Sequence, residues 1–292
     1  MKDFNYCIVV PVYETKENFE KFVKLAEDLL TNQNEIEIIF VDDGNDYDLD
    51  NVINKNLKNF KLVKNKKNLG YGASIKKGIL QTNSKIIGIT DCDNSYDLKH
   101  LIDIILQFEK KECDLLVGKR IFEYRDFFPK VIFRKIINKL STLIFNYKIE
   151  DINSGLRVFY KRDFMKDLNV YPDKFSITST QTLCTISRNK EIKYTDTKYL
   201  KRDGKSKISV LYDPFKFFYL IFKIFLIFSP MKFFGYFGFV FITLSIIVLI
   251  LSSLFLDKIM DITFLILFIS GINLIFFGLI GEIIKIKHKN DD

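Results

Sequence analysis

The run Lys85-Ile-Ile-Gly-Ile-Thr-Asp91-Cys92-Asp93 places two carboxylates at i and i+2 directly after a short apolar, β-branched segment. Side chains two apart on an extended chain point the same way, so Asp91 and Asp93 can approach one hard divalent cation together. Mg²⁺ or Mn²⁺ prefers such oxygen ligands, and a cation held there can neutralise a departing diphosphate. The competing reading of Asp-x-Asp is a turn or a helix cap. A second acidic pair, Asp42-Asp43-Gly44, follows the apolar run Ile36 to Val41 and is equally compatible with a plain turn after a strand. Gly70 and Gly72 open a helical segment, and glycine also lets backbone approach a ligand closely. Arg120, Arg202, Lys205 and Lys207 are either solvated surface charges or partners for anions, for which Arg supplies bidentate donors.

The elements that must position these residues alternate along the chain. Tyr6 to Val12 reads as a strand, and a helix follows from about Glu17 to Leu30 with Phe19, Phe22, Val23, Ala26 and Leu29/Leu30 on one face. Ile36 to Val41 and Phe60 to Val63 read as further strands, and Asn68-Leu-Gly70-Tyr-Gly72-Ala opens a helix through about Gln81. The strand Lys85 to Thr90 is followed by a helix from Leu98 to Lys111 and a strand from Asp114 to Val117. Strands alternating with helices predict an α/β domain with a mostly parallel, doubly wound sheet. Ligands bind such sheets beyond the carboxyl ends of the strands, where Asp42, Asp43, Asp91 and Asp93 fall.

The 292 residues carry a formal charge of +8, with 30 Phe, no Trp and a mean hydropathy of +0.07, which is apolar for a soluble enzyme. The excess sits at one end: Phe233 to Leu256 and Ile262 to Gly281 contain no charged residue. Each is long enough to cross a ~30 Å hydrocarbon core. Cys7, Cys92, Cys113 and Cys184 are scattered and only His100 and His288 accompany them, so zinc and disulfide frameworks are not expected. The apolar run at Cys7 to Val10 meets Pro11 too soon for a signal-peptide core, which predicts a domain in a reducing cytosol.

Taken together, Val10-Pro-Val-Tyr13, Val41-Asp-Asp-Gly44, Asn68-x-Gly-x-Gly72, Asp91-Cys-Asp93, Gly118-Lys-Arg120, Asp151-Ile-Asn-Ser-Gly155-Leu-Arg157 and Arg202-Asp-Gly-Lys-Ser-Lys207 resemble the family-two glycosyltransferases of GT-A fold. Within them, the chain is most similar to the polyprenyl-phosphate (dolichol-phosphate-type) sugar transferases. The resemblance spans nearly the whole chain. It implies a nucleotide-sugar donor, a polyprenyl phosphate acceptor, and Mg²⁺ or Mn²⁺ on Asp91 and Asp93. It further implies nucleoside contacts from Asp42 and Asp43, donor contacts near Pro11, Tyr13, Gly70 and Gly72, and anion contacts from Arg120, Arg202 and Lys205. The chain departs from the family pattern at Tyr13-Glu14-Thr15, where many members read Tyr-Asn-Glu, and at Ser95, where Gln or an acid is frequent. Where many relatives carry a Glu or Asp as catalytic base, Phe175-Ser-Ile-Thr178-Ser-Thr180-Gln181 has no carboxylate. A phosphate monoester, with a second pKa near ~6, is mostly dianionic at neutral pH and needs no base. The missing carboxylate therefore favours a lipid-phosphate acceptor, and the family resemblance implies inversion at the anomeric carbon.

These readings divide the chain into a cytoplasmic GT-A domain over 1–212, a juxtamembrane amphipathic helix over 213–230, two membrane helices within 231–285 (about 233–256 and 262–284), and a cytoplasmic tail at 286–292. Residues 127–147 read as a helix lying in the bilayer interface, with Phe128, Ile132, Ile136, Leu140, Leu143 and Ile144 on one face. A helix packed on the domain's own core gives the same periodicity. Lys223 and Lys232 precede the first span, and Lys285, Lys287 and Lys289 follow the second, whereas Asp257-Lys-Ile-Met-Asp261 is net acidic. By the positive-inside rule both termini and the catalytic domain are cytoplasmic on a cell membrane. The partners expected are the donor, the acceptor and a lipid bilayer; no nucleic acid is expected, and homo-oligomer formation is left open. The alternatives are a hydroxyl-directed or processive glycosyltransferase, a nucleotidyltransferase, and a non-catalytic membrane scaffold that kept the fold. A nucleotidyltransferase would place a Gly-rich basic loop where this chain has Pro11-Val-Tyr-Glu-Thr.

Overall fold

β1 (Tyr6–Val12) sits between β2 (Ile36–Asp42) and β4 (Ile86–Ile89), parallel to both, and β3 (Phe60–Lys64) extends the same parallel ladder beyond β2. The β-branched Ile and Val of these runs suit a pleated surface. β1, β2 and β4 are buried along nearly their whole length, as expected of parallel strands covered on both faces. The computed structural model describes residues 4–14, 16–30, 33, 35–53, 59–122, 128–174, 176–200, 213–256 and 260–290.

The sheet has seven strands in the order β3-β2-β1-β4-β6-β5-β7, with β5 (Leu115–Phe122), β6 (Arg157–Tyr160) and β7 (Ile192–Tyr199) completing it. β6 runs antiparallel to both neighbours, so the sheet is mixed rather than wholly parallel. α1 (Lys16–Leu30) buries Phe19, Phe22, Val23 and Ala26 against the sheet, with Phe19 and Phe22 edge-on to Phe40. α2 (Tyr71–Leu80) follows β3, and α3 (Leu98–Leu106) begins at Asp97, whose carboxylate accepts from the Lys99 N–H at 2.9 Å. The helix expected as far as Lys111 ends five residues earlier and gives way to a 3-10 turn over Phe108–Lys111. β5 outruns its expected end at Val117 because it pairs in parallel with β7 as far as Phe122, which puts Arg120 on a strand.

α4 (Phe128–Phe145) covers the segment expected to lie in a bilayer interface. Among its described side chains Ile137 and Ser141 are buried while Ile136 is half exposed. Asn138 ties it to the chain that follows, donating to the Glu150 carbonyl at 2.8 Å and accepting from the Ile152 N–H. α5 (Lys161–Met165) and α6 (Ile177–Ser187) complete this part of the chain.

By its internal contacts the chain divides into two units, Met1–Phe217 and Phe218–Asp292. α7 (Asp213–Phe228) runs across the boundary. In the second unit, α8 (Pro230–Phe255) and α9 (Asp261–Asn290) form a hairpin. Pro230–Phe255 and Asp261–Ile286 are each long and apolar enough to cross a membrane. The seam between them is lined by small residues seven apart, Gly238, Ser245 and Ser252 on α8 and Gly271 and Gly278 on α9. A Cβ on Gly238 would meet the Gly271 carbonyl at 2.8 Å, and one on Gly281 would meet Pro230 at 2.7 Å. Outward, the hairpin presents large apolar side chains such as Phe239, Leu254 and Ile262.

Candidate functional site

The carboxyl ends of β1, β2 and β4 lie side by side, so the segments that follow them converge. Asp42 and Asp43 are both buried there but are held differently. Asp42 Oδ1 accepts from Asn45, through its backbone N–H at 3.0 Å and its amide at 2.7 Å. The same Asn45 amide donates to the Val12 carbonyl and Asn45 Oδ1 accepts from the Glu14 N–H, fixing the turn at Tyr13-Glu14, where Glu14 has φ 53. Asp43 accepts from the Asn65 amide at 2.8 Å, the Leu69 N–H at 2.9 Å and the Gly70 N–H at 2.9 Å. Its carboxylate therefore orders the loop leading into α2.

The glycines of that loop are explained by packing. Gly70 has φ +106, a conformation that only glycine adopts readily, and a Cβ there would meet the Asp173 carbonyl at 2.8 Å. A Cβ on Gly72 would stand 2.0 Å from the Pro172 carbonyl, and the N–H groups of Gly72 and Ala73 donate to Lys174 and Asp173. The close approach read from the sequence is thus made by the chain's own 172–174 backbone.

β4 ends at Ile89, two residues before Asp91, and Asn94 takes a left-handed φ of 56. Strand alternation therefore does not govern Asp91 and Asp93, which lie on a turn. Asp91 Oδ1 accepts from the Tyr71 hydroxyl at 2.9 Å, and its other oxygen lies where a Cβ on Gly155 would come within 2.8 Å. Burial and the neighbouring Asp91 charge hold the Tyr71 hydroxyl protonated well above the usual tyrosine range. Asp93 is buried and its Oδ1 accepts from the Ser95 N–H at 3.0 Å and from the Ser95 hydroxyl. Among the described residues no third His, Cys, Asp or Glu joins them in a cluster able to hold a metal. Two carboxylates nevertheless match the hard, all-oxygen chemistry of Mg²⁺ or Mn²⁺, which takes its remaining ligands from phosphates and water.

Arg120, expected to meet an anion, has a carboxylate of its own chain. Its Nε and Nη2 each reach Asp151 at 2.7 Å, and its backbone N–H donates to the same side chain. Phe122 and Tyr199 flank the guanidinium, with ring centroids at 5.7 and 5.5 Å. Asp151 is buried, which alone would raise its pKa, yet the Arg120 charge and its hydrogen bonds hold the carboxyl below the usual range. Tyr96 closes the same corner, accepting from the Gly155 N–H at 2.8 Å and packing on Tyr199. Arg202 and Lys205, like the rest of 201–212, lie outside the described residues.

The partners of two residues were not legible in the sequence, Tyr71 and the Arg157 that closes the Asp151–Arg157 motif. Tyr71 was a helix residue with no sign of its partner. Arg157 is fully buried, donating to the Ser154 and Ile152 carbonyls at 2.7 and 2.8 Å and to Thr182 Oγ1 at 2.9 Å. On α6, where the family resemblance implied a base, Thr180 is fully buried and its hydroxyl donates to the Ser176 carbonyl at 2.8 Å.

With this geometry in view, the comparisons are informative. The model of glycosyl transferase family 2 matches residues 7–168. The chain is 22% identical over 215 residues to a dodecaprenyl-phosphate galacturonate synthase of Rhizobium johnstonii, covering 72% of this chain and 63% of that one. It is also 22% identical over 151 residues to a dolichyl-phosphate hexose transferase of Haloferax volcanii, covering 50% of this chain and 62% of the relative. The matches thus span somewhat less than two thirds of either relative's length. Among solved structures, the fold resembles that of Mycobacterium tuberculosis glucosyl-3-phosphoglycerate synthase in complex with Mn²⁺, UDP and glucosyl-3-phosphoglycerate. That likeness has a TM-score of 0.54 at 12% identity, covering 76% of this chain and 79% of that one.

Proposed function

Because the chain belongs to glycosyl transferase family 2, we propose that it transfers a sugar from a nucleotide-sugar to a polyprenyl phosphate at the cytoplasmic face of a membrane, with inversion. The observation that carries the acceptor class is the state of the carboxylates. Asp42, Asp43, Asp91, Asp93 and Asp151 each already accept hydrogen bonds from the chain's own donors. On α6 the residues are Thr180 and Gln181 rather than an acid. A sugar hydroxyl would need one of these groups to take its proton; a phosphate dianion brings its own nucleophilic oxygen. The names of both relatives, each of which includes a polyprenyl phosphate, support the same acceptor, as do the two membrane-length helices.

In this reading Asp91 and Asp93 would hold a divalent cation, which when bound neutralises charge on the leaving diphosphate. Tyr71 and Gly155 hold the Asp91 carboxylate between them, and Asp42 with the Asp43-ordered loop forms the nucleoside side, next to Pro11 and Tyr13. The Arg120–Asp151 pair braces the floor, leaving Arg202 and Lys205 as the cations that draw in phosphate. The excess of Lys at the outer ends of the helical hairpin supports the cytoplasmic placement.

The test is incubation of the purified chain with a panel of UDP- and GDP-sugars, Mn²⁺ or Mg²⁺, and either a short polyprenyl phosphate or the matching free polyprenol. Lipid-linked sugar should form on the phosphate alone. Efficient glycosylation of the alcohol would refute the acceptor class, and failure with every donor would refute the transfer itself.

A further inference from the structure

Arg157 carries a full positive charge in a fully buried position. Among the described residues its hydrogen-bond partners are all neutral: two backbone carbonyls, the Thr182 hydroxyl and, at 3.5 Å, Gln181 Oε1. Among the described residues it has no ion-pair partner, and α6, which it faces, contains no acidic residue from Ile177 to Ser187. Asp151, the acid of the adjoining loop, already has both oxygens on Arg120. Asp151 reaches Arg157 only through its field, so among the described residues no carboxylate is bonded to the Arg157 guanidinium. Burial draws the Arg157 pKa down to about 10 against the opposing field of Asp151. A buried charge is costly unless an opposite charge reaches it.

Its place in the sheet says where that opposite charge would come from. Arg157 is paired across β6 to Ile89 at the end of β4 and to Val117 on β5, two residues before Asp91 and three before Arg120. Its Nε and Nη2 hold the carbonyls of Ser154 and Ile152, and the next residue along, Gly155, lies against the Asp91 carboxylate. The 152–155 backbone thus bonds the guanidinium through its carbonyls and meets the Asp91 carboxylate at Gly155.

We propose that Arg157 is a fixed buried cation whose counter-charge is the phosphate of a bound substrate, acting across the 152–155 backbone without touching it. The inference rests on the transferase reading above and deepens it, because it makes substrate phosphate part of the charge balance of the folded domain. The phosphate belongs either to the donor diphosphate or to the acceptor monoester.

Gln181→Glu tests this by giving Arg157 an internal carboxylate in place of the amide. The full chain in detergent is titrated calorimetrically with UDP, with GDP and with farnesyl phosphate, and its thermal midpoint is recorded. The expected result is opposite signs: a higher midpoint, and affinity for a phosphate ligand weakened about tenfold as the field is cancelled. Loss confined to UDP or GDP assigns the donor diphosphate, and loss confined to farnesyl phosphate assigns the acceptor. Gln181→Met, which removes the amide without adding charge, should leave the affinities unchanged. A folded Gln181→Glu protein with unaltered affinities, or an equal loss in Gln181→Met, would overturn the proposal. If Gln181→Glu does not fold, Arg157→Gln removes the charge while keeping amide donors, and retained affinity there refutes it equally. A wild-type chain that binds none of the three probes would instead sink the transferase reading.

Discussion

Asp151→Ala should be among the most destabilising single changes in the first unit. The Arg120 and Asp151 side chains are 12% and 5% exposed and joined by two bonds of 2.7 Å, so removal of one partner strands a charge that water barely reaches. Breaking a buried pair of this kind costs about 3–5 kcal/mol. At about 2–4 °C per kcal/mol for a domain of this size, the midpoint should fall by roughly 6–20 °C. The Phe122 and Tyr199 rings beside the guanidinium can recover only about 0.5–2 kcal/mol of this. Arg120→Ala should cost a similar amount, and the double variant much less than the two together, since it leaves no orphan charge. The chain has no Trp, and Cys7, Cys92, Cys113 and Cys184 are all buried, so a thiol-reactive dye that fluoresces on unfolding is a natural readout. Additive effects, or single losses below about 1 kcal/mol, would show that the pair sits in water and braces nothing. The pH dependence gives a second check. The folded Asp151 pKa lies below its ordinary value, so the pair contributes fully above about pH 4 and its contribution fades as pH falls through the folded pKa. The stability gap between wild type and Asp151→Asn should therefore close in acid; a gap that widened there would contradict the sign.

Asp93→Asn should abolish transfer with an unchanged midpoint, because the amide oxygen still accepts from the Ser95 N–H; wild-type turnover would remove the metal role. Gly72→Ala should lower stability by about 1–3 kcal/mol or more, since the new methyl meets backbone that cannot swing away, and a neutral outcome would mean that the 172–174 segment yields. A reporter fused after Asp292 should be cytoplasmic and one inserted between Leu256 and Asp261 external; both on one side would mean that one apolar helix does not span.

What could be read from the sequence was whatever is local. Phe19, Phe22 and Ala26 recur at helical spacing, and the runs at Tyr6, Ile36 and Ile86 are short, β-branched and apolar, so the β1 to β5 alternation was visible without coordinates. The antiparallel insertion of β6 was not, because Arg157–Tyr160 is as short and apolar as β4 and its direction is decided by partners about seventy residues away. Arg120 illustrates the same limit at the site. Its type announced an anion, but its anion is Asp151, thirty-one residues on, and nothing in the spacing says so. At Gly70 and Gly72 the sequence could not say which group comes close, since a ligand and the folded-back 172–174 backbone ask the same thing of a glycine. For Asp91 and Asp93 the alternation rule was applied past the last residue of its strand.

The seven-residue spacing of small side chains along the α8–α9 seam makes the hairpin a self-contained packing unit. Gly238, Gly271, Gly278 and Gly281 are committed to each other's helix, so the close packing that lets helices associate in lipid is satisfied internally. Such a hairpin can be moved between proteins as a block. Exchanging 230–290 for another two-helix anchor should preserve membrane attachment, whereas replacing α9 alone would set its new side chains against a face shaped for glycine and drive the two helices apart. The unit of inheritance in this second unit is then the pair, since a change on the seam face of either helix must be matched by the other.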